Sequence, residues 1–180
     1  VKAVHRGDRA AFGALVERHK GLVYRIALRM TGNTDTAGDL AQDVFVNAFE
    51  SLRRLKDDAS FRSWLLSIAI NRCRDWHKDI RRNVAGMDDA GIYDQDTSLF
   101  AGSIVNPYEG ALQAELGNTL ERALRLLRPI YREAVVLKDV EGMSYEEMAG
   151  MTGVNAANLK IRVVRGREAL RHILRKWKVA

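Results

Sequence analysis

The chain has little of what fixes a structure covalently or interrupts it. Of its 180 residues only Cys73 is a cysteine, which excludes an internal disulfide and a cysteine-rich zinc site. Proline occurs only at positions 107 and 129, so long uninterrupted helices are permitted almost everywhere. No apolar run approaches the roughly 18 residues of a membrane span. The start lacks the basic-then-apolar segment of a secretion signal, so a cytoplasmic location is expected. A G-x-S-x-G nucleophile motif and a phosphate-binding P-loop are both missing, and the four histidines are scattered. Cys73 and His77, four residues apart, make at most half a metal site, with no second ligand pair near in sequence. No metal, cofactor or small-molecule substrate is therefore expected.

One stretch also lacks any cation. Residues 83–114 hold five acids and no Lys or Arg, whereas residues 1–82 hold 16 basic and 10 acidic residues, and residues 115–180 hold 13 and 8. Two basic blocks joined by an acidic segment suit two modules that meet polyanions, although ordinary surface charge gives the same count.

What is present is helical periodicity. Phe12, Leu15, Val16, Leu22, Val23, Ile26 and Met30 recur at helical intervals, closed by Gly32. Leu40, Val44, Phe45, Ala48, Phe49 and Leu52 share one face of a second helix, and a third runs from about Ser60 through Ile80. Residues 83–105 are rich in Gly, Asp and Ser and read as a linker. Helix signals resume at Asn106-Pro107 with Glu109 completing a capping-box-like arrangement. Helices are then expected over about 107–127, 129–140, 144–151 and 155–177. The fold class is all-α: two small helical domains, 1–82 and 107–180, joined by an acidic linker, 83–106.

Two stretches carry chemistry. "SYEEMAGMTGVNAANLKIRVVRG" has the layout of a helix-turn-helix: a capped short helix, a tight Thr152-Gly153-Val154 turn, then a longer basic helix. In such units the second helix lies in the DNA major groove. From Lys160 to the end there are eight Lys/Arg against one acid, which suits phosphate contacts; a plain α-hairpin with a solvated basic face is the alternative. "FRSWLLSIAINRCRDWHKDIRR" buries Leu65, Ile68, Ala69, Cys73, Trp76 and Ile80. It runs Trp64, Ser67, Asn71, Arg74, Lys78 and Arg81/Arg82 opposite them. An indole beside an amide and a basic stripe fits unpaired DNA, whose bases stack on aromatics while cations track the backbone. Equally, Trp64 is satisfied as a core residue. On the second helix Asp39, Gln42, Asp43 and Glu50 form a polar stripe that reads better as a solvated or partner-facing surface than as an acidic metal cluster. Val46 within it hints at a protein contact.

Together these segments resemble the bacterial sigma-70 family, specifically the short extracytoplasmic-function (ECF, group IV) sigma factors. "DTAGDLAQDVFVNAF" is similar to the family's core-binding helix. "FRSWLLSIAINRCRDWHKD" resembles its promoter-melting and −10-reading segment, and "YREAVVLKDVEGMSYEEMAGMTGV" its region 4. The similarity covers roughly residues 5–82 and 110–175. It implies a non-enzymatic protein that binds core RNA polymerase and reads two promoter elements. By position, Asp39, Gln42, Asp43, Val46 and Asn47 face the polymerase clamp helices, and region 4 meets the flap. Lys56, Ser60, Arg62, Trp64, Asn71, Arg74 and Lys78 handle the unpaired −10 strand, with a flipped base held by the loop Arg53 to Ser60. Asn158, Lys160, Ile161, Arg162, Val164 and Arg165 read the −35 duplex. The family also implies an anti-sigma factor as partner, a monomer when free, and a nucleoid-associated active state, with membrane tethering only through the anti-sigma factor.

The chain departs from the family where Ile161 and Val164 stand for polar or aromatic residues on the basic face of the last helix. Lying in the major groove, their methyls would meet DNA rather than water, with thymine methyl groups as natural partners. Packing against an anti-sigma partner is the alternative. A LuxR-type regulator shares the helix-turn-helix but leaves the Trp64–Arg82 segment unexplained. An adaptor engaging polymerase or an anti-sigma protein needs no promoter reading at all.

Overall fold

The structure is a computed structural model that describes residue 4 and residues 8–55, 60–85 and 113–177. Lys56, most of the loop before the third helix, the acidic segment beyond 85 and the Asn106-Pro107-Glu109 cap lie outside the described residues.

Helix α1 spans Arg9–Thr31. Asp8 caps it by accepting the Ala11 N–H at 3.0 Å, and Gly32, at φ 74°, ends it in the left-handed conformation that favours glycine. Asn33 immediately caps α2 (Thr34–Ser51), so only two residues join the pair, and the two helices pack against each other. A short 3-10 turn, Leu52–Arg54, ends α2, and α3 runs Phe61–Ala85. Val23, Val44, Ala48, Leu52, Phe61, Leu65 and Ala69 interlock between these three helices.

The second half comprises α4 (Gln113–Arg125), α5 (Pro129–Val135), α6 (Tyr145–Thr152) and α7 (Ala156–Lys176). Pro129 opens α5, where its missing N–H costs nothing. Past Val135 the helix widens into a π turn, Val136–Val140, closed by Glu141 N–H to Val136 carbonyl at 3.0 Å. Gly166 lets α7 approach α5 closely: a Cβ there would lie 2.6 Å from Val135 Cγ2 and 3.1 Å from the Tyr131 carbonyl oxygen. Among the described residues the architecture is all helical.

The halves are not separate beads. Ile26, Met30, Leu66, Ile70 and Cys73 from the first half join Ala134, Leu137, Met143, Met148 and Leu159 from the second in one buried cluster. Helix α3 packs along α6, and α1 touches α4 and α5. Burial also pushes the Cys73 thiol up to about 12. His77 Nε2 lies 3.1 Å from the Met30 carbonyl. Both residues of the sequence's half metal site thus sit in packing.

Candidate nucleic-acid and polymerase interfaces

The helix-turn-helix is built as the pattern of caps requires. Ser144 Oγ accepts the Glu147 N–H at 3.1 Å and Glu147 Oε2 accepts the Ser144 N–H at 2.8 Å, a complete capping box that starts α6. The backbone bond, then the hydroxyl bond, holds the Glu147 carboxyl below its ordinary range. Gly153 at φ 69° makes the turn, and its N–H donates to the Ala149 carbonyl at 2.9 Å. Asn155 then caps α7 through the Asn158 N–H at 2.8 Å, and Val154 packs into the angle between the two helices.

On α7, Leu159, Val163, Gly166 and Leu170 are buried. The opposite arc presents Asn158, Lys160, Ile161, Val164 and Arg165 to solvent, with Arg162 at its edge. Ile161 stands in the middle of this arc at 49 % exposure and Val164 beside it at 51 %, so neither serves the core. Lys160 reaches back over the Tyr145 ring, 5.6 Å from its centroid, which holds the cation at the start of α6. Five of the six −35 candidates therefore share one exposed surface, aliphatic at its centre, while half-buried Arg162 borders it from the cleft facing α3.

The α3 candidates divide instead. Asn71 and Lys78 are exposed, with Lys78 Nζ 3.4 Å from Asp75. Trp64 is half-buried against the first core, 5.7 Å from the Phe61 ring, and Ser60 is half-buried beside it. Arg62 and Arg74, however, are turned onto the second half of the molecule. Arg74 grips Glu133 with two bonds, Nε to Oε2 at 2.6 Å and Nη2 to Oε1 at 2.5 Å, and donates through Nη1 to the Thr152 carbonyl at 3.1 Å. Arg62 Nη2 donates to Glu141 Oε2 at 3.0 Å. A cleft of about 270 Å³ between α3 and the helix-turn-helix is lined by Arg74, Lys78 and Arg162 together with Glu133. Sequence patterning marks cations on a face but carries no signal for these distant carboxylates.

On α2 the five polymerase-facing candidates share one surface. Asp39, Gln42 and Val46 are exposed, and Asp43 and Asn47 are half-buried, with Asp43 ion-paired to Arg72 of α3. The surface is more apolar than expected. Phe49, placed by periodicity with the core, is exposed; its ring meets Phe12 edge-on at 5.0 Å. Phe12, Val16, Phe45, Val46 and Phe49 line an open groove of about 410 Å³ with Gln42 and Glu50 at its margin. The spacing of Val46, Phe49 and Glu50 held the signal: three and four residues apart, they belong to the polar stripe as much as to the core face.

The chain matches two family models, Sigma-70 region 2 over residues 15–83 and Sigma-70, region 4 over residues 118–170. The ECF RNA polymerase sigma factor SigW of Bacillus subtilis is 32 % identical over 181 residues, covering 97 % of this chain and 95 % of SigW. Among solved structures, the sigma factor RpoE of Bartonella quintana, in complex with the anti-sigma factor NepR, superposes with a TM-score of 0.68 at 25 % identity. That match covers 92 % of this chain and 97 % of RpoE. CnrH, in complex with the cytosolic domain of CnrY, gives a TM-score of 0.65 at 28 % identity, covering 96 % and 92 %. The region 2 match is what a LuxR-type reading leaves unexplained.

Proposed function

Because the chain belongs to the extracytoplasmic-function branch of the sigma-70 family, we propose that it loads onto core RNA polymerase and directs initiation at promoters it selects. A single observation carries the reading: a helix-turn-helix with an open basic arc follows a region 2 module in the same chain. The module within residues 1–82 docks on the polymerase clamp helices through Asp39, Gln42, Asp43, Val46 and Asn47. The Phe49-lined groove supports this reading, since an exposed apolar strip rimmed by polar residues suits a protein partner. The same module takes the unpaired −10 strand with Lys56, Ser60, Arg62, Trp64, Asn71, Arg74 and Lys78.

The module within residues 107–180 sits at the flap and enters the −35 major groove with α7. Lys160, Arg162 and Arg165 meet phosphates or base edges, Asn158 sits near the helix start, and Ile161 and Val164 meet thymine methyls. Residues 83–106, without cations, thread channels that otherwise hold nucleic acid. Phosphodiester chemistry stays with the polymerase. The site of action is the cytoplasm, at the nucleoid, and an anti-sigma factor holds the protein, a monomer when free, until induction.

Reconstitution tests this. Purified chain added to core polymerase should yield promoter-specific transcripts from a genomic template library. No such transcript from any template sinks the proposal, and binding of duplex DNA without binding of core favours a free-standing regulator.

A further inference from the structure

Helix α7 carries a cation whose charge the protein itself already answers. Arg167 meets Asp139 with two bonds in fork geometry, Nε to Oδ2 at 2.9 Å and Nη2 to Oδ1 at 2.5 Å. The pair lies at the surface: the Arg167 side chain is 49 % exposed and that of Asp139 31 %. An ion pair in the open contributes little to stability, and α7 is already held from its buried side by Leu159, Val163, Gly166 and Leu170. Its location says more. Lys160 and Arg167 stand seven residues apart, so they share one side of α7, about 10 Å from each other along the axis. Lys160 meets the Tyr145 ring, which leaves its charge for a phosphate, whereas Arg167 meets a full carboxylate. An uncommon piece of backbone delivers that carboxylate. In the π turn Val136–Val140, Val136 and Leu137 stay buried while Asp139 comes to the surface beside α7. Single π turns of this kind recur at functional sites.

We propose that Asp139 is a charge mask on the DNA-facing helix. It occupies the Arg167 guanidinium, so this cation makes no phosphate contact, and α7 holds duplex DNA less tightly than its count of cations implies. The inference rests on the sigma-factor reading for α7 meeting duplex DNA. A phosphate engages Arg167 only by displacing a carboxylate that takes the same two donors, an exchange of like for like with no net gain in charge pairing. Each phosphate that a protein does neutralise steepens the salt dependence of duplex binding by about 0.9 in log–log slope, and tightens binding without regard to sequence. The mask therefore acts on the sequence-independent part of the affinity. It keeps the unassembled chain from being held by bulk DNA and leaves the choice of site to the residues that face bases.

The test titrates the full chain with a fluorescein-labelled mixed-sequence duplex of about 20 base pairs, two helical turns, at salt concentrations from about 50 to about 200 mM. Asp139→Asn should bind about 5-fold more tightly at the low-salt end, with a slope steeper by about 0.9. Glu17→Gln, which releases the exposed Lys20 on α1 in the same way, should leave the slope unchanged; a matching shift there overturns the mask. With both members of the pair gone, Asp139→Asn/Arg167→Gln should return the wild-type slope. A double variant less steep than wild type means that Arg167 already contacts phosphate, and an unchanged slope in Asp139→Asn means that it never does; either result overturns the mask. So does weaker binding of Asp139→Asn with an altered base preference in a base scan, which makes the pair a strut for α7. Circular dichroism verifies folding. If Asp139→Asn unfolds the chain, Arg167→Gln decides alone: the wild-type slope supports the mask, and a slope shallower by about 0.9 overturns it. A wild type that shows no salt-dependent duplex binding, free or assembled with core polymerase, sinks the reading of α7 as a DNA-binding helix. Salt-dependent wild-type binding with an unchanged Asp139→Asn slope sinks the mask alone.

Discussion

Helices α3 and α7 look alike in sequence: each is long, basic and interrupted by one or two large apolar side chains on its polar face. In the folded chain they differ. On α7 the two aliphatics Ile161 and Val164 stay exposed, and its cations Arg167 and Lys160 reach only nearby groups of the second half, Asp139 and the Tyr145 ring. On α3 the arginines at the edge of the arc are tied to glutamates 59 and 79 residues away. Counting cations on a helix therefore measures its potential for binding anions, not its availability. Availability depends on what the rest of the chain lays across it.

The strongest way to break the contrast is to remove the α3 cation. Arg74→Ala strands Glu133 between the two halves, and loss of one partner of a buried pair costs about 3–5 kcal/mol. Arg74 keeps 26 % of its side-chain exposure, so a loss near about 3 kcal/mol is expected in urea denaturation. Arg171→Ala on the exposed side of α7 should change stability by less than about 0.5 kcal/mol. Equal losses would erase the distinction. Next comes the buried side of α7. Gly166→Ala drives a methyl against Val135 and the Tyr131 backbone, with an expected cost of about 1–3 kcal/mol by the same assay.

Smaller effects sharpen what the open arc does. Ile161→Ser should leave the melting temperature nearly unchanged, because the side chain is half exposed. It should lower discrimination at one or two −35 positions by about 1 kcal/mol, roughly 5-fold, in a base scan of duplex binding. An unchanged preference would return Ile161 to the class of tolerated surface residues. The smallest effect concerns the cap of α6, the helix that precedes the arc. The folded Glu147 carboxyl lies below its unfolded value. Its contribution is therefore fully present above the unfolded pKa, about 4.3, and is lost as pH falls through the folded value. The stability gap between wild type and Glu147→Gln should accordingly shrink between about pH 6 and about pH 3.

Much of the architecture was legible before any coordinates. Gly32 and Gly153 end α1 and α6, Ser144 with Glu147 opens α6, and the apolar interval of α7 marks its buried side. Local rules suffice there because each cap involves residues three or four apart. Phe49 shows the limit. Its spacing fits the buried face and the polar stripe alike, and only the position of α1 decides that its ring meets Phe12 at a groove edge. Gly166 is a second case, since nothing in the local sequence says that α5 passes within contact distance.

The sequence by itself determined that the chain is helical, where most of its helices begin and end, and which motifs place it near a known family. Periodicity, capping and motif spacing are short-range properties that a linear string preserves. Tertiary structure alone decided which charged groups face one another. It placed Glu133 against Arg74 and Glu141 against Arg62, and left Ile161 and Val164 in the open. Those pairings depend on how two sets of helices dock, and docking is fixed by the summed burial of a shared core rather than by any residue's near neighbours in sequence.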